Sequence, residues 1–154
     1  LSLQARKVQG TRNIRAFEDS RNRIRAMSMI HERLYQSKDL THIDVEEYVQ
    51  TLIDNLVASY GGGKASVVFH VDIDVDSMHI DRLIPCGLIL NELVSNALKY
   101  AFLETEDGRI MVSLKAQNGK RELTVHDNGD GIPAKLDFMN TETLGLQIVN
   151  SLVV

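Results

Sequence analysis

The sequence predicts an α+β protein in which helices cover one face of a mixed, mostly antiparallel sheet. Helix-type apolar spacing fills the first third of the 154 residues, and after residue 64 strand-type alternation is interleaved with helical segments. Strands and helices in this order are typical of an α+β sandwich. The composition, 44% hydrophobic and 25% charged, supplies enough apolar side chains for a core. No apolar run reaches the length that a membrane-spanning helix needs.

The first forty residues have the pattern of a helical hairpin. Between Phe17 and Tyr35, apolar residues recur at three-, four- and seven-residue steps, which predicts an amphipathic helix whose apolar stripe packs on another helix. The stripe consists of Phe17, Ile24, Met27, Ile30 and Leu34. Residues 1–8 have the pattern of the end of that partner helix, and they begin without a capping residue. We therefore expect the first helix of the hairpin to be truncated.

Charge divides the chain near residue 40. Up to Asp39, nine Lys and Arg residues accompany four Asp and Glu residues, whereas beyond it eight accompany seventeen. We therefore expect a helical domain over residues 1–40 and a second domain over residues 41–154. The basic residues lie on helix-patterned sequence without interleaved aromatic residues, which favours a solvated helix face or an acidic protein partner over nucleic acid.

Helix signals surround the sheet of the second domain. Asp44 is a good N-cap for a helix that ends at Gly61. A long, almost entirely apolar helix is expected from about Ile84 to Phe102, with Pro85 tolerated in its first turn. A last helix is expected from near Leu144 to the final residue.

Three strands are expected in this domain. Residues 67–75 alternate apolar and polar side chains, as a half-buried strand does. The segments GRIMVSLKAQ and RELTVHDN are two more strand candidates. Between them lie Asn118 and Gly119, a dipeptide typical of a two-residue hairpin turn.

The long helix carries three polar residues on one face of an otherwise apolar run. In GLILNELVSNALKYAF, Glu92, Asn96 and Lys99 are spaced by four and three residues. Burying such groups without partners costs roughly 2–7 kcal/mol for a neutral polar group and more for a charge, so a partner is expected. A carboxylate and an amide one turn apart are hard oxygen ligands that suit Mg²⁺ on a nucleotide triphosphate. The alternative is a helix whose polar face points to water.

Two glycine-containing stretches follow. DNGDGIP comes directly after a strand, so Asp127 lies at a strand end, where its carboxylate could accept the exocyclic amine of adenine. Gly129 and Gly131 allow the backbone to turn closely around a flat ligand. In TLGLQIV, Gly145 precedes an apolar helix whose N-terminal amides could receive phosphate. The alternatives are an ordinary turn and an ordinary helix start.

Together, NELVSNALKY, DNGDGIP and TLGLQIV resemble in order and spacing the N, G1 and G2 boxes of the GHKL ATPases, the family shared by gyrase, Hsp90, MutL and histidine kinases. SRNRIRAMSMIHERLYQSKDL followed by IPCGLILNELVSNALKYAF is similar to the second subgroup of sensor histidine kinases, in which a dimerising helical hairpin precedes the ATP-binding domain. The resemblance covers nearly all of the chain and implies a Bergerat-type sandwich. Family members continue into a final pair of strands, so we expect a piece of a larger sensor.

The resemblance implies a role for each matching residue. Asn96 would bind the Mg²⁺ that bridges the ATP phosphates, and Glu92 would be the polar or basic residue one turn earlier; these two are the expected catalytic residues. Asp127 would accept the adenine amine. Lys99 would contact phosphate, and Tyr100 would lie against adenine. The remaining nucleotide-binding positions are Gly129, Gly131, Ile132, Thr143, Leu144, Gly145 and Leu146.

The resemblance places the phosphorylated histidine upstream of Leu1, outside this chain. His31, in MIHERLY, matches the second helix of the hairpin and is expected to pack on a helix face. The single cysteine, Cys86, is expected to be a small buried side chain. The other histidines share no metal-ligand spacing and receive no role; they are His42, His70, His79 and His126.

The expected activity is transfer of the ATP γ-phosphate to that histidine and then to an aspartate of a response regulator, with ATP and Mg²⁺ as cofactors. The chain by itself is not expected to autophosphorylate. A homodimer through the hairpin is expected, nucleic acid is not an expected partner, and a membrane is expected only through a sensor region outside this chain. The absence of a signal-peptide pattern favours the cytoplasm. The alternatives are another ATPase or a serine kinase of the superfamily, and a degenerate nucleotide-binding module.

Overall fold

The computed structural model describes residues 42–60, 66–103, 105, 107–131 and 144–152, together with Arg21, Ile24 and Ser28. These three isolated residues are helical, as predicted for their segment, and Ile24 of the apolar stripe is 62% exposed. The rest of the predicted hairpin, including His31, lies outside the described residues. The domain boundary near residue 40 stays a prediction.

Eight elements form the described part of the chain. They are β1 (Ile43–Asp44), α1 (Val45–Tyr60), β2 (Ser66–Ile73), β3 (Ser77–Met78), α2 (Ile80–Tyr100), β4 (Asp107–Gln117), β5 (Lys120–Asp127) and α3 (Leu144–Leu152). Strands β2, β4 and β5 form a sheet in that order, in which β2 is parallel and β5 antiparallel to β4. Strands β1 and β3 form a separate antiparallel pair. The predicted α+β fold with a mixed sheet is confirmed.

Helix α1 begins and ends where the sequence predicts. The Asp44 carboxylate accepts a hydrogen bond of 2.9 Å from the backbone N–H of Glu47, which is the geometry of an N-cap. Two acidic residues in the first turn, Glu46 and Glu47, are favourable beside the positive end of the helix dipole. The last helical residue, Tyr60, immediately precedes Gly61.

The hairpin between β4 and β5 also follows the prediction. Asn118 and Gly119 both have positive φ angles, 53° and 73°, which is the backbone of a type I′ turn. This turn fixes the register, so Gln117 pairs with Lys120 at one end of the hairpin and Asp127 ends the ladder at the other.

The core lies between the helices and one face of the sheet. Alternate residues of β4, namely Ile110, Val112 and Leu114, are at most 1% exposed and belong to the same buried cluster as the apolar residues of α1 and α2. The opposite face of the sheet is open: Val68 is 63% and Met111 is 40% exposed. Helices therefore cover one face of the described sheet, as predicted.

Helix α2 begins four residues earlier than predicted. Its N-cap is His79, whose ring Nδ1 accepts a hydrogen bond of 3.3 Å from the backbone N–H of Asp81. Pro85 is consequently the sixth helical residue, so the expectation that it falls in the first turn was wrong. Pro85 has no N–H, so it cannot bond the backbone carbonyl of Asp81 one turn earlier. Asp81 is exposed, so water can hydrogen-bond to this carbonyl instead. No helix in the described ranges is long and apolar enough to cross a membrane.

Candidate functional site

Helix α2 buries polar residues on the side away from its apolar face. Leu90 and Val94 point into the core and are at most 1% exposed. Two residues along a helix correspond to a rotation of about 200°, so Glu92 lies across the helix from both. Glu92 is nevertheless only 4% exposed, and helix α3 packs along α2. The alternative expectation, that the polar face of this helix points to water, is therefore wrong at Glu92.

The buried polar face is wider than the sequence pattern indicated. Asn91 and Ser95 are 3% and 4% exposed, and the Ser95 hydroxyl donates a hydrogen bond of 3.2 Å to the backbone carbonyl of Glu92. Both residues lie within NELVSNALKY, on a row beside that of Glu92 and Asn96. Their own four-residue spacing was a signal that pointed to a second polar row.

The last two turns of α2 carry the other predicted residues of this helix. Asn96 is half-buried and Tyr100 is 58% exposed. The ammonium group of Lys99 lies 4.5 Å from the ring centroid of Tyr60, the last residue of α1, which is a cation–π distance. The side chain of Lys99 is thus held beside the end of α1.

The DNGDG loop contacts the C-terminal end of α2 directly. Asp127, at the end of β5, accepts a hydrogen bond of 3.0 Å from the backbone N–H of Gly129. The backbone N–H of Asp130 donates a hydrogen bond of 2.8 Å to the carbonyl oxygen of Ala101, the C-cap of α2. A Cβ atom at Gly129 would lie 2.6 Å from both the carbonyl carbon and the Cβ of Ala101. The glycine is therefore needed for this contact between loop and helix.

Asn128 attaches the same loop to the sheet, and the sequence interpretation gave it no role. Its backbone N–H donates to the carbonyl of Arg109 at 3.2 Å. Its side-chain Oδ1 accepts from the backbone N–H of Arg109, and its Nδ2 donates to the carbonyl of Asp107 at 3.1 Å. The signal in the sequence was an asparagine directly after a strand, where a side-chain amide can replace a peptide group.

The structure brings several predicted residues to the C-terminal half of α2. Asp127 and Gly129 reach it through the loop, and Asn96, Lys99 and Tyr100 belong to it. Gly131 has a φ of 77°, and no atom of the described residues lies within 4 Å of the position that a Cβ would take. Gly145 and Leu146 are buried in α3, which begins at Leu144 and packs on α2. Ile132 and Thr143 lie outside the described residues. The roles assigned to all these residues stay predictions.

Two ionisable side chains, Tyr48 and Cys86, lie where α1 packs on α2. Burial raises the pKa of Tyr48, and the neighbouring Cys86 raises it further. Burial also raises the pKa of the Cys86 thiol, against a smaller lowering effect of Arg121. A protonated thiol is a poor nucleophile. Cys86 is half-buried rather than fully buried, and it packs against the core cluster.

Within the described ranges, no group of three or more His, Cys, Asp and Glu side chains is placed to hold a metal ion. Mg²⁺ in nucleotide sites is held by only one or two protein oxygen atoms, together with phosphate oxygens and water, and a side-chain amide can supply such an oxygen. The half-buried Asn96 provides such an oxygen one turn from Glu92. These donors fit a Mg²⁺ ion that arrives with nucleotide phosphates.

Two family models match the chain in comparisons with known proteins. Residues 1–60 match the family model described as Histidine kinase, and residues 81–154 match the model described as Histidine kinase-, DNA gyrase B-, and HSP90-like ATPase. The sensor histidine kinase PdtaS of Mycolicibacterium smegmatis is 30% identical over 160 residues, covering 99% of this chain and 30% of the relative. PdtaS of Mycobacterium tuberculosis (strain H37Rv) is 28% identical over 159 residues, with the same coverage. The chain spans about 30% of the length of these relatives.

A solved structure shares the fold. The histidine kinase domain from the Erythrobacter litoralis EL346 blue-light activated histidine kinase has a TM-score of 0.75 and 24% sequence identity, covering 87% of this chain and 63% of that chain. The two family matches and the relatives confirm the resemblance inferred from the sequence motifs. Residues 1–60 and 81–154 thus form a histidine kinase segment followed by an ATPase domain of the GHKL type, and the chain belongs to the sensor histidine kinases.

Proposed function

We propose that this chain binds Mg·ATP as the catalytic part of a histidine kinase. In the whole protein, the γ-phosphate would pass to a histidine outside this chain and then to an aspartate of a response regulator. The observation that carries the proposal is the contact of the DNGDG loop with Ala101 at the end of α2. It joins the strand end that presents Asp127 to the helix that presents Asn96.

The carboxylate of Asp127 is suited to accepting a hydrogen bond from the exocyclic amine of adenine. One oxygen, Oδ1, accepts from the N–H of Gly129 within the loop, which orients the group. Both oxygens of the carboxylate can accept further hydrogen bonds, so it can also accept one from the exocyclic amine of adenine. Hydrogen bonds to an ionised group are roughly twice as strong as neutral ones, and a purine with a carbonyl in place of the amine offers no donor at carbon 6.

Asn96 and Glu92 supply the hard oxygen atoms for the metal side of the site. Mg²⁺ in nucleotide sites keeps few protein ligands and is held mainly by phosphate oxygens and water. When bound, the ion would neutralise the charge that develops on the transferring phosphoryl group. It is also needed for binding, because the chain beyond Asp39 carries eight basic residues against seventeen acidic ones and would otherwise repel a triphosphate.

Phosphate contacts are assigned to two further features. Lys99 lies on the same helix face as Glu92 and Asn96, and its ammonium group is held near Tyr60. Helix α3 begins at Leu144, and the first N–H groups of a helix have no partner within the helix. Such a terminus can receive phosphate oxygens.

The partners of the whole protein follow from the same proposal. In the whole protein, the segment that matches the histidine kinase model would dimerise through its helical hairpin, and the part of that hairpin upstream of Leu1 would present the histidine. An acidic response regulator would dock near the basic residues of that hairpin, since nine Lys and Arg residues lie within the first 39 residues. A regulator that binds equally well at low and high salt would contradict this charge-based docking.

Nucleotide binding tests the two central residues separately. A fluorescent adenine nucleotide is titrated into the chain with wild-type sequence, with Asp127→Asn and with Asn96→Ala. We expect Asp127→Asn to weaken ADP binding at least about tenfold, because it loses a charge-assisted hydrogen bond. Asn96→Ala should instead reduce the gain in ATP affinity that Mg²⁺ provides.

Asp130→Asn is the matched control for the first variant. It makes the same chemical change in the same loop, and the amide oxygen of the new asparagine can still accept the hydrogen bond that the Asp130 carboxylate accepts from the Thr105 hydroxyl. We expect it to bind ADP as the wild type does. Equal weakening by Asp127→Asn and Asp130→Asn would show a general charge effect and contradict the role of Asp127.

Phosphotransfer is tested on a protein that extends upstream of Leu1. Incubation with γ-labelled ATP should give an acid-labile, base-stable label, which is the behaviour of phosphohistidine. An acid-stable label would indicate a serine kinase instead. The 154-residue chain alone should take up almost no label, and strong labelling of His31 would contradict the placement of the acceptor outside the chain.

A further inference from the structure

The side chain of Asn128 continues the β4–β5 ladder beyond its last residue. The ladder ends where Asp127 pairs with Ile110. One residue later, the Asn128 amide takes the place of a peptide group: its oxygen accepts from the N–H of Arg109 and its nitrogen donates to the carbonyl of Asp107 at 3.1 Å. Its own backbone N–H donates to Arg109 at 3.2 Å. Three hydrogen bonds thus hold this residue against β4.

The other side of the same loop is held by helix α2 and the segment that follows it. Asp130 donates its backbone N–H to Ala101 at 2.8 Å, and its carboxylate accepts from the hydroxyl of Thr105 at 3.3 Å. Gly129, between the two attachments, donates to the Asp127 carboxylate at 3.0 Å. The carboxylate is therefore oriented by an N–H whose position depends on Asn128 on one side and Asp130 on the other.

From this geometry we infer that Asn128 is a positioning residue that sets the base selectivity of the site. The inference rests on the proposed function of Asp127 as the acceptor of the adenine amine. Adenine presents a donor at carbon 6, whereas hypoxanthine presents a carbonyl oxygen that a carboxylate repels. Hydrogen bonds weaken steeply with poor distance and angle, so this difference is largest when the carboxylate cannot move. A loop released from β4 would let the carboxylate retreat and would admit water between it and either base.

The test compares the affinities of ADP and IDP by calorimetric titration of the whole chain. We expect the wild type to prefer ADP at least about tenfold. Asn128→Ala should reduce that preference to about threefold or less. Asn128→Asp should retain an intermediate preference, because its carboxylate can accept from Arg109 but cannot donate to Asp107.

Asn118→Ala is the matched control. Asn118 lies at the other end of the same hairpin and has a φ of 53°, so alanine there adds backbone strain without touching the loop. Its ADP-to-IDP preference should equal that of the wild type even where its melting temperature falls as much as that of Asn128→Ala.

Each outcome has a separate meaning. A wild-type chain that binds neither nucleotide would contradict the proposed function itself. A wild-type chain that prefers ADP, with an equal preference in Asn128→Ala, would leave the adenine site standing and overturn the role of Asn128. A parallel loss of ADP and IDP affinity in Asn128→Ala, following its melting temperature, would show a merely structural role and would also overturn the inference.

Discussion

Replacing Gly129 with alanine should separate the DNGDG loop from the end of α2. The new Cβ would lie 2.6 Å from the carbonyl carbon and Cβ of Ala101, whereas ordinary contact begins at 3.4 Å. These atoms belong to a helix terminus and to a side chain with no rotatable bond, so they cannot turn away. The loop must therefore retreat by about 0.8 Å or more.

That retreat has a calculable consequence for the cap of the helix. The hydrogen bond from Asp130 to Ala101 is 2.8 Å long, and lengthening it by about 0.8 Å takes it to roughly the 3.6 Å at which such a contact is no longer a hydrogen bond. A lost hydrogen bond costs about 0.5–1.5 kcal/mol and an overpacked contact about 1–3 kcal/mol, so we expect the free energy of unfolding to fall by roughly 2–4 kcal/mol. Because Asp127 is attached to the same loop, ADP affinity should fall as well.

Urea denaturation and ADP titration measure the two effects, and Gly119→Ala is the comparison. Gly119 has a φ of 73°, and no atom of the described part of the chain lies within 4 Å of the position that a Cβ would take, so the expected effect of alanine there is backbone strain of about 1–2 kcal/mol. We expect Gly119→Ala to lower stability without changing ADP affinity. If Gly129→Ala were no less stable than Gly119→Ala and bound ADP as tightly as the wild type, the contact with the helix end would not hold the site.

Four other changes test features outside this loop. Tyr48→Phe should leave the free energy of unfolding unchanged or raise it by up to about 1 kcal/mol, because the Tyr48 hydroxyl is buried with no hydrogen-bond partner among the described residues. Gly87→Ala should lower the free energy of unfolding by about 1–3 kcal/mol, because its Cβ would lie 2.9 Å from Tyr48 Cζ and closer still to the Tyr48 hydroxyl. In urea denaturation, the double variant with Tyr48→Phe should recover part of this stability. A hydrogen bond of 2.7 Å from Lys115 lowers the pKa of Asp72. The small contribution of this exposed pair to the free energy of unfolding is therefore present above about pH 4 and is lost as the pH falls through the lowered pKa. In an NMR titration, Lys115→Met should raise the pKa of Asp72 back toward its ordinary value. Tyr60→Leu removes the ring next to the Lys99 ammonium group and should lower the free energy of unfolding by about 0.5–1 kcal/mol. Tyr60→Phe keeps an aromatic ring at this position, so it should lose little of that stability.

The elements that the sequence predicts correctly depend on neighbouring residues. An aspartate at position 44 caps α1 through its own side chain, and the pair Asn118–Gly119 adopts positive φ angles within two residues. Both signals need no knowledge of the rest of the chain. The alternation that buries one side of β4 is likewise set by the two-residue period of a strand.

The start of α2 could not be predicted in the same way. Histidine is not among the residues that commonly cap helices, and Pro85 suggested a helix start near itself. In the structure the His79 ring nitrogen accepts a hydrogen bond from the backbone N–H of Asp81, a role that an aspartate or serine side chain usually has at a helix start. The early turn formed by Ile80 and its neighbours packs against the core, so tertiary contact compensates for the proline.

For the candidate site, residue types indicated the chemistry but not the assembly. The polar row of Glu92 and Asn96 and the strand-end Asp127 could be selected because each is unusual in its local context. The contact between Gly129 and Ala101 depends on where the sheet places its loop relative to a helix that ends much earlier in the chain, which local patterns do not encode. Asn128 was missed for the same reason: its partners belong to another strand.

The contact at Ala101 also explains why this helix end and this loop occur together. The last carbonyl groups of a helix have no partner within the helix, and a glycine just after the helix often supplies one. Here the residue after the cap is Phe102, and the N–H of Asp130 from the distant loop bonds the Ala101 carbonyl instead. The stability of the last turn of α2, which carries Lys99, is therefore coupled to the position of the loop that carries Asp127. A change that frays one should displace the other, so the phosphate contact of Lys99 and the adenine contact of Asp127 would be lost together.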